Sequence, residues 1–305
     1  MKVTRGMTVD RLVQEMGQTA VLGAGRVARA VSLMSDLFSD AEYTVFLTLA
    51  GPMIPGGLRR IVADLVRQGH VDAVIASGAN IVHDVIEALA FGGYTGGSMS
   101  DAELRGGGYG RIGDIYIEMK GFEALERKVY AVLDGLTGAP PPTRVSICDL
   151  LMEIGRTLDD DGSILRCAAL RNVPVFSPGV TDSMLGLHMW TYGQLHDVVL
   201  DPLQDMNRLS DMVYESGKIG AIILGGGLPK HFIMGASTLK NGLDTAIQIT
   251  LDRPEGGSLS GAPLEEGISW RKMKTESSAV TVISDATIAF PVIVAAVLDR
   301  IDSDD

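Results

Sequence analysis

Cysteine is scarce in this sequence, with two residues, Cys148 and Cys167, in 305. Two thiols exclude a disulfide framework, and their spacing excludes a zinc-ligand pair, so they read as reduced, buried thiols and no metal site is expected. Long apolar runs are missing as well. No stretch approaches the uninterrupted span of a membrane helix, and the first residues lack a basic-then-apolar leader pattern. The expectation is a cytoplasmic protein without a membrane partner. Positive charge is in deficit, with 38 acidic residues against 26 basic ones and a net charge of −12. Nucleic-acid binders usually carry a basic stripe, so no nucleic-acid partner is expected. An acidic surface serves solubility, and it suits a cationic substrate or a basic protein partner equally well.

What is present is ample core material: 46% of the residues are hydrophobic. From Thr44 onward, short β-rich runs alternate with helical patterns. YTVFLTLA (43–50) precedes a helical Leu58–Gln68, and VDAVIASG (71–78) precedes Ile81–Ala90. VPVFSP (173–178), IGAIILGGG (219–227), TAIQIT (245–250) and AVTVIS (279–284) are nearly continuous apolar runs that end in Gly, Ser or Pro. Such runs suit strands buried on both faces. Their alternation with helices predicts an α/β fold with a mostly parallel sheet flanked by helices. GAPPPT (138–143) is the one strong linker candidate. Neither side of it shows a complete α/β pattern of its own, so residues 1–305 read as a single domain with a helical segment over about 1–40.

AVLGAGRVARAV (20–31) matches the dinucleotide fingerprint G-x-G-x-x-A at Gly23, Gly25 and Ala28. Its context is poor, because TVDRLVQEMG before it reads as an amphipathic helix and only Thr19–Leu22 is left for the required strand. The alternative is a small-residue helix packed closely on a neighbour. Elsewhere, six strand-end stretches carry glycine or small polar residues suited to a ligand: AGPMIPGG (50–57), SGAN (77–80), SPGVTD (177–182), GGGLPKH (225–231), GGSLSG (256–261) and SDAT (284–287). Ligands of open α/β sheets sit beyond the carboxyl ends of strands. Glycine there permits close approach, and hydroxyls and carboxylates bond ribose and phosphate. These stretches read either as ordinary turns or as the lining of a site for a nucleotide-sized ligand.

Two polar residues stand out. His231 follows the triple glycine at a helix start, as a working imidazole or as a local cap. Lys272 lies in EEGISWRKMK (265–274), two residues after Trp270 and close to Arg271 and Lys274. An indole and like charges both favour a neutral amine, and a neutral amine attacks carbonyls and imines. The opposing reading is a solvated surface lysine.

The sequence resembles the deoxyhypusine synthase family. The resemblance rests on VDAVIASGANIVHDVIEAL (71–89), RIGDIYI (111–117), VPVFSPGVTDSMLG (173–186), GAIILGGGLPKHFIMGASTLKNGLDTAIQIT (220–250), SGAPLEEGISWRKMK (260–274) and VTVISDATIAFPVIVA (280–295). It implies a Rossmann-like domain assembled as a homotetramer, with NAD and substrate sites at subunit interfaces. The family reaction oxidises spermidine with NAD and captures its aminobutyl group on an enzyme lysine as an imine. The group then passes to a lysine of translation factor 5A. By this resemblance Lys272 is the attacking lysine, Trp270 the wall of the amine channel, Glu266 an amine-binding carboxylate and His231 the proton-handling histidine. NAD contacts would come from Gly51–Pro55, from Ser77, Gly78 and Ala79, and from Asp182, Gly226, Leu251, Asp252, Ser258, Asp285 and Ala286. The resemblance puts no NAD loop at Gly23–Ala28, which leaves helix packing as the reading of that stretch.

The sequence departs from the family pattern at four positions. Leu187 and Leu259 stand where aspartates are expected, Gly235 where asparagine is expected, and His83 where a glutamate is expected. A buried ammonium without an acidic partner is costly. Either Asp197 or Asp84 substitutes, or the amine differs. Three functions therefore follow: deoxyhypusine synthesis, a paralogous aminoalkyl transfer to a small amine of the homospermidine synthase kind, or a non-catalytic dinucleotide binder. Retention of Lys272 speaks against the last.

Overall fold

The computed structural model describes residues 1–95, 97–136 and 143–304. They form two compact units, the first made of Met1–Ala50 with Leu209–Asp305 and the second of Gly51–Arg208. The candidate linker Gly138–Thr143 lies outside the described residues except for Thr143.

The first unit opens with α1 (Val9–Thr19), started by the Thr8 side chain, which accepts from the Arg11 amide, and closed at Ala20 in the left-handed region. The next helix, α2 (Leu22–Ser39), follows at once. Gly23, Gly25 and Ala28 are therefore helical with no strand before them, and the fingerprint is a packing surface. A Cβ on Gly17 of α1 would stand 3.1 Å from that of Ala28. Arg300 Nη2 and Asp10 Oδ1, 2.6 Å apart, pair across the same unit. Strand β1 (Tyr43–Leu49) comes next, buried from Val45 onward.

In the second unit a π-helical turn at Ile54–Leu58 leads into α3 (Arg59–Gln68). Strand β2 (Ala73–Ala76) and α4 (Gly78–Ala88) follow. Helix α4 begins three residues before the expected Ile81 because the Ser77 side chain accepts from the Asn80 amide and caps it there. Strand β3 (Tyr94–Thr95), helix α5 (Asp101–Gly107), β4 (Tyr109–Ile112) and β5 (Ile115–Glu118) include a small antiparallel sheet in the order β3-β5-β4. Helix α6 (Lys120–Leu136), β6 (Thr143–Val145), α7 (Ile147–Arg156), α8 (Ile164–Arg171), β7 (Val175–Phe176), α9 (Met184–Gly193) and β8 (Val198–Leu200) complete it. Strands β2 and β7 pair in parallel, with Val74 opposite Val175, and β6 pairs with β8. Both cysteines are free and buried, and burial pushes the Cys148 thiol up to about 11.

Helix α10 (Pro202–Glu215) leads back to the first unit, which continues with β9 (Lys218–Leu224), α11 (Gly227–Ala236), β10 (Leu243–Thr250), the short α12 (Glu266–Ser269), β11 (Met273–Ile283) and α13 (Ala286–Asp304). Its four strands are all parallel in the order β11-β10-β9-β1, with Val45 opposite Gly220, Ala221 opposite Ala246 and Ile247 opposite Val280. These strands contain the apolar runs of the sequence. Strands β1, β9 and β10 are buried almost throughout, whereas the terminal strand β11, expected to be buried on both faces, is buried only at Met273, Val280 and Val282. Helices α2 and α13 pack together and against β10, while α11 packs on β1. A Cβ on Gly220 would come within 2.3 Å of Leu37 Cδ2, so glycine lets α2 lie close to the sheet. Arg26 donates to the Thr281 carbonyl and Arg29 to Ser278 Oγ, placing two guanidinium groups on the terminal strand β11. The protein thus has the expected α/β architecture. Among the described residues no helix is long and apolar enough to cross a membrane.

Candidate active site

Lys272 closes the turn between α12 and β11, and its backbone is fixed on several sides. Its amide donates to the Gly267 carbonyl at 2.8 Å. Its carbonyl accepts from the Leu243 amide at 3.1 Å and from Ser237 Oγ at 3.2 Å. The reversal needs Arg271 in the left-handed region, φ 56°, a conformation that costs a non-glycine residue about 1–2 kcal/mol. Strain of this kind tends to sit where geometry serves function. The side chain of Lys272 reaches His231 on α11, with Nζ 3.3 Å from Nε2, and lies 5.9 Å from the Trp270 ring centroid. These three expected residues come together. Glu266 opens α12 on the exposed side of the same segment.

The indole does not enclose the lysine as the sequence suggested. Trp270 is 71% exposed in the chain. It follows a single-turn helix at the surface.

The expected dinucleotide residues of the first unit fall at strand ends. Gly225 and Gly227 both have positive φ and frame Gly226, where a Cβ would meet Ser260 Cα at 2.6 Å. Leu251 and Asp252 follow β10 and are exposed, with the Asp252 amide bonded to Thr250 Oγ1. Ser258 is exposed in the loop after β10. Asp285 and Ala286 start α13, where Asp285 Oδ1 accepts from the Thr287 amide and hydroxyl. Glycine backbone, hydroxyls and the starts of α11 and α13 are the donors that ribose and pyrophosphate require, so these residues fit a dinucleotide.

In the second unit the remaining expected residues gather around the start of α4. Asn80 is buried there and organises them. Its Nδ2 donates to the Gly51 carbonyl and to Ser77 Oγ, both at 2.9 Å, and its Oδ1 accepts from the Ile54 amide at 3.1 Å. The Gly51–Pro55 turn and the Ser77–Ala79 turn are thereby tied together. Gly78 has no room for a Cβ, which would lie 2.4 Å from Ser183 Oγ, so the turn bearing Asp182 rests directly on it.

Asp84, a possible substitute carboxylate, is committed elsewhere. It is buried, bonds Arg59 Nε at 2.7 Å, and accepts from Ser163 Oγ and the amides of Ile164 and Leu165 at the start of α8. His83 packs edge-on to Phe122 at 6.5 Å, and burial lowers its pKa. Leu187 and Leu259 are exposed at 48% and 41%. Gly235 has open space where a side chain would stand.

Sequence reasoning missed Asn80, Lys230, Gln248 and Ser260. Asn80 was in view as part of SGAN, and Lys230 stands between the triple glycine and His231. On α11 Lys230 lies three and four residues before the buried Ile233 and Met234, so helical periodicity is the signal that would have placed it on the inward face.

The deoxyhypusine synthase family model matches residues 11–297. The chain belongs to the deoxyhypusine synthase family. Membership places it among transferases. A "probable deoxyhypusine synthase" of Methanothermobacter thermautotrophicus is 48% identical over 301 residues, covering 99% of this chain and 97% of the relative. One from Methanopyrus kandleri is 46% identical over 295 residues, covering 97% and 95%. A crystal structure from Entamoeba histolytica assigned to deoxyhypusine synthase has a TM-score of 0.71 at 20% identity, covering 98% of this chain and 97% of that one, which speaks to the fold.

Proposed function

We propose that the chain carries out deoxyhypusine synthesis, the NAD-dependent transfer of the aminobutyl group of spermidine to a lysine of translation factor 5A. The observation that carries this reading is the Lys272–His231 pair, 3.3 Å apart beside Trp270. Bound NAD supplies the hydride sink for the amine and the hydride source for the product imine. By the family resemblance Gly226, Leu251, Asp252, Ser258, Asp285 and Ala286 are the residues of the first unit that would contact it. In the second unit the resemblance names Gly51, Pro55, Ser77, Gly78, Ala79 and Asp182.

Within that setting Lys272 attacks the carbon of the oxidised amine. A bond from Nζ to that carbon forms, the bond to 1,3-diaminopropane breaks, and His231 carries the proton from Nζ to the departing nitrogen. The acceptor lysine then displaces Lys272 by the same exchange. Glu266 pairs with the ammonium end of the donor, and Trp270 offers it an aromatic face. An imine needs a dry site, and Trp270 gains one if a second copy covers it, as a homotetramer with interfacial sites does. Such an assembly also accounts for the exposure of Leu251 and Ile288, at 64% and 67%, near the ends of β10 and β11. We place the reaction in the cytoplasm.

The test is borohydride trapping with NAD and spermidine. An aminobutyl mass on Lys272, absent in Lys272→Arg, is the expected result, and NAD binding without an adduct would remove the spermidine reading. The exposed leucines at 187 and 259, with Asp84 already committed, favour a second reading in which the group goes to a small amine. Offering factor 5A and putrescine as competing acceptors separates the two.

A further inference from the structure

Lys230 is buried to 2% exposure, one residue before the exposed His231 on α11. Its Nζ meets three oxygen acceptors: the Ala262 carbonyl at 2.7 Å, Gln248 Oε1 at 3.0 Å and the Leu259 carbonyl at 3.2 Å. An ammonium has three donors, and each is matched here. Gln248 is fully buried in β10 and donates its Nε2 to the Ser260 carbonyl at 2.7 Å and to the Gly225 carbonyl at 2.8 Å. Ser260 Oγ accepts from the Gly227 amide at 2.8 Å. The carbonyls of Leu259, Ser260 and Ala262 are thus all taken by two buried side chains. The loop lies against the Gly225–Gly227 turn, where only glycine at 226 leaves it room. Burial pulls the Lys230 amine down to about 8, with Glu266 and Glu265 acting against that. A protein that needed only a filled core at this place would not bury an ammonium, because desolvation is expensive.

We propose that Lys230 is a positioning residue for the transfer reaction: it holds the Ser258–Ala262 loop on the Gly225–Gly227 turn, so that the dinucleotide meets a preformed wall. The inference rests on reading this end of the sheet as the dinucleotide site. Its physical content is that the ordering of the loop is completed at folding instead of being charged against binding.

Amide hydrogen exchange on the free protein, read by mass spectrometry, tests the latch without any ligand. In Lys230→Met, exchange across the Ser258–Ala262 loop and at the Gly227 amide should quicken about tenfold while β9 and β10 stay protected. The Kd for NAD should rise about tenfold, and at saturating NAD the rate of adduct formation on Lys272 should return to within about twofold of the parent. Ser260→Ala cuts the second tie without disturbing a buried charge and should shift exchange and Kd the same way by about threefold. It carries the test if Lys230→Met does not fold. Unchanged loop exchange in the variants overturns the proposal, as does quickened exchange throughout β9 and β10, which would make Lys230 a scaffold residue. A parent protein that does not bind NAD overturns the dinucleotide reading instead, and loop exchange still reports whether the latch exists.

Discussion

Lys272 is anchored by its backbone to three separate partners, so its side chain starts from a fixed point and reaches one imidazole and one indole. The indole gives a measurable discriminator. A cation over an exposed aromatic ring gains roughly 0.5–1 kcal/mol, a factor of about five at most, whereas a desolvated one gains about 2 kcal/mol or more, a factor of about thirty. Trp270 is exposed in the single chain. If assembly covers it, as the proposed function requires, Trp270→Ala should raise the KM for spermidine more than about tenfold, with Trp270→Phe recovering most of the loss. A rise of about fivefold or less in the assembled protein would leave the ring in water and remove its role as channel wall.

At the scale of elements, strands were the most legible part of the sequence. YTVFLTLA, IGAIILGGG and TAIQIT became β1, β9 and β10, because a strand buried on both faces has to be apolar along its whole length, and AVTVIS became the last part of the half-buried terminal strand β11. The small sheet β3-β5-β4 was not foreseen, since strands of two to four residues interrupted by glycine leave no periodicity to read. The grouping of Lys272 with Trp270 in the candidate site was legible because a lysine two residues after a tryptophan is a rare pairing. The site was illegible where a buried polar residue ties the backbone of a loop distant in sequence, as Lys230 and Asn80 do, because nothing local marks the partner.

The same difficulty hid the polar cluster of the second unit. There Arg59 on α3 meets Asp84 on α4 at 2.7 Å and Asp160 at 2.7 Å, and Asp84 also serves the start of α8. Removing one member of a buried pair strands the other, so Asp84→Ala should cost about 3–5 kcal/mol in chemical denaturation. Glu87 lies 3.7 Å from Arg59, yet burial raises its carboxyl from 4.5 to about 7, with Arg59 acting against the shift. A carboxyl raised by folding binds protons that the unfolded chain has released. Its contribution is present below pH 4.5 and is lost as the pH climbs through 7. Glu87→Gln should flatten the decline in stability over that window, and an unchanged slope would assign it to other groups.

For the whole molecule the relevant quantity is the net charge of −12. A field of that sign concentrates cations near the surface and speeds their capture, and salt screens it over about 10 Å at 0.1 M. Spermidine is a small polycation, so the proposed function ties the bulk composition to a rate. The value of kcat/KM for spermidine should fall about tenfold between roughly 10 mM and 300 mM salt, because capture is the step that feels the long-range field. The value of kcat should hold nearly constant, because the Lys272–His231 contact, at 3.3 Å, is shorter than the screening length over that salt range. Glu266→Gln should raise KM at every salt concentration without removing the slope, since one carboxylate is a small part of the total charge. A kcat/KM insensitive to salt would mean that the acidic surface serves solubility alone. A slope abolished by Glu266→Gln would mean that the attraction is local to the site.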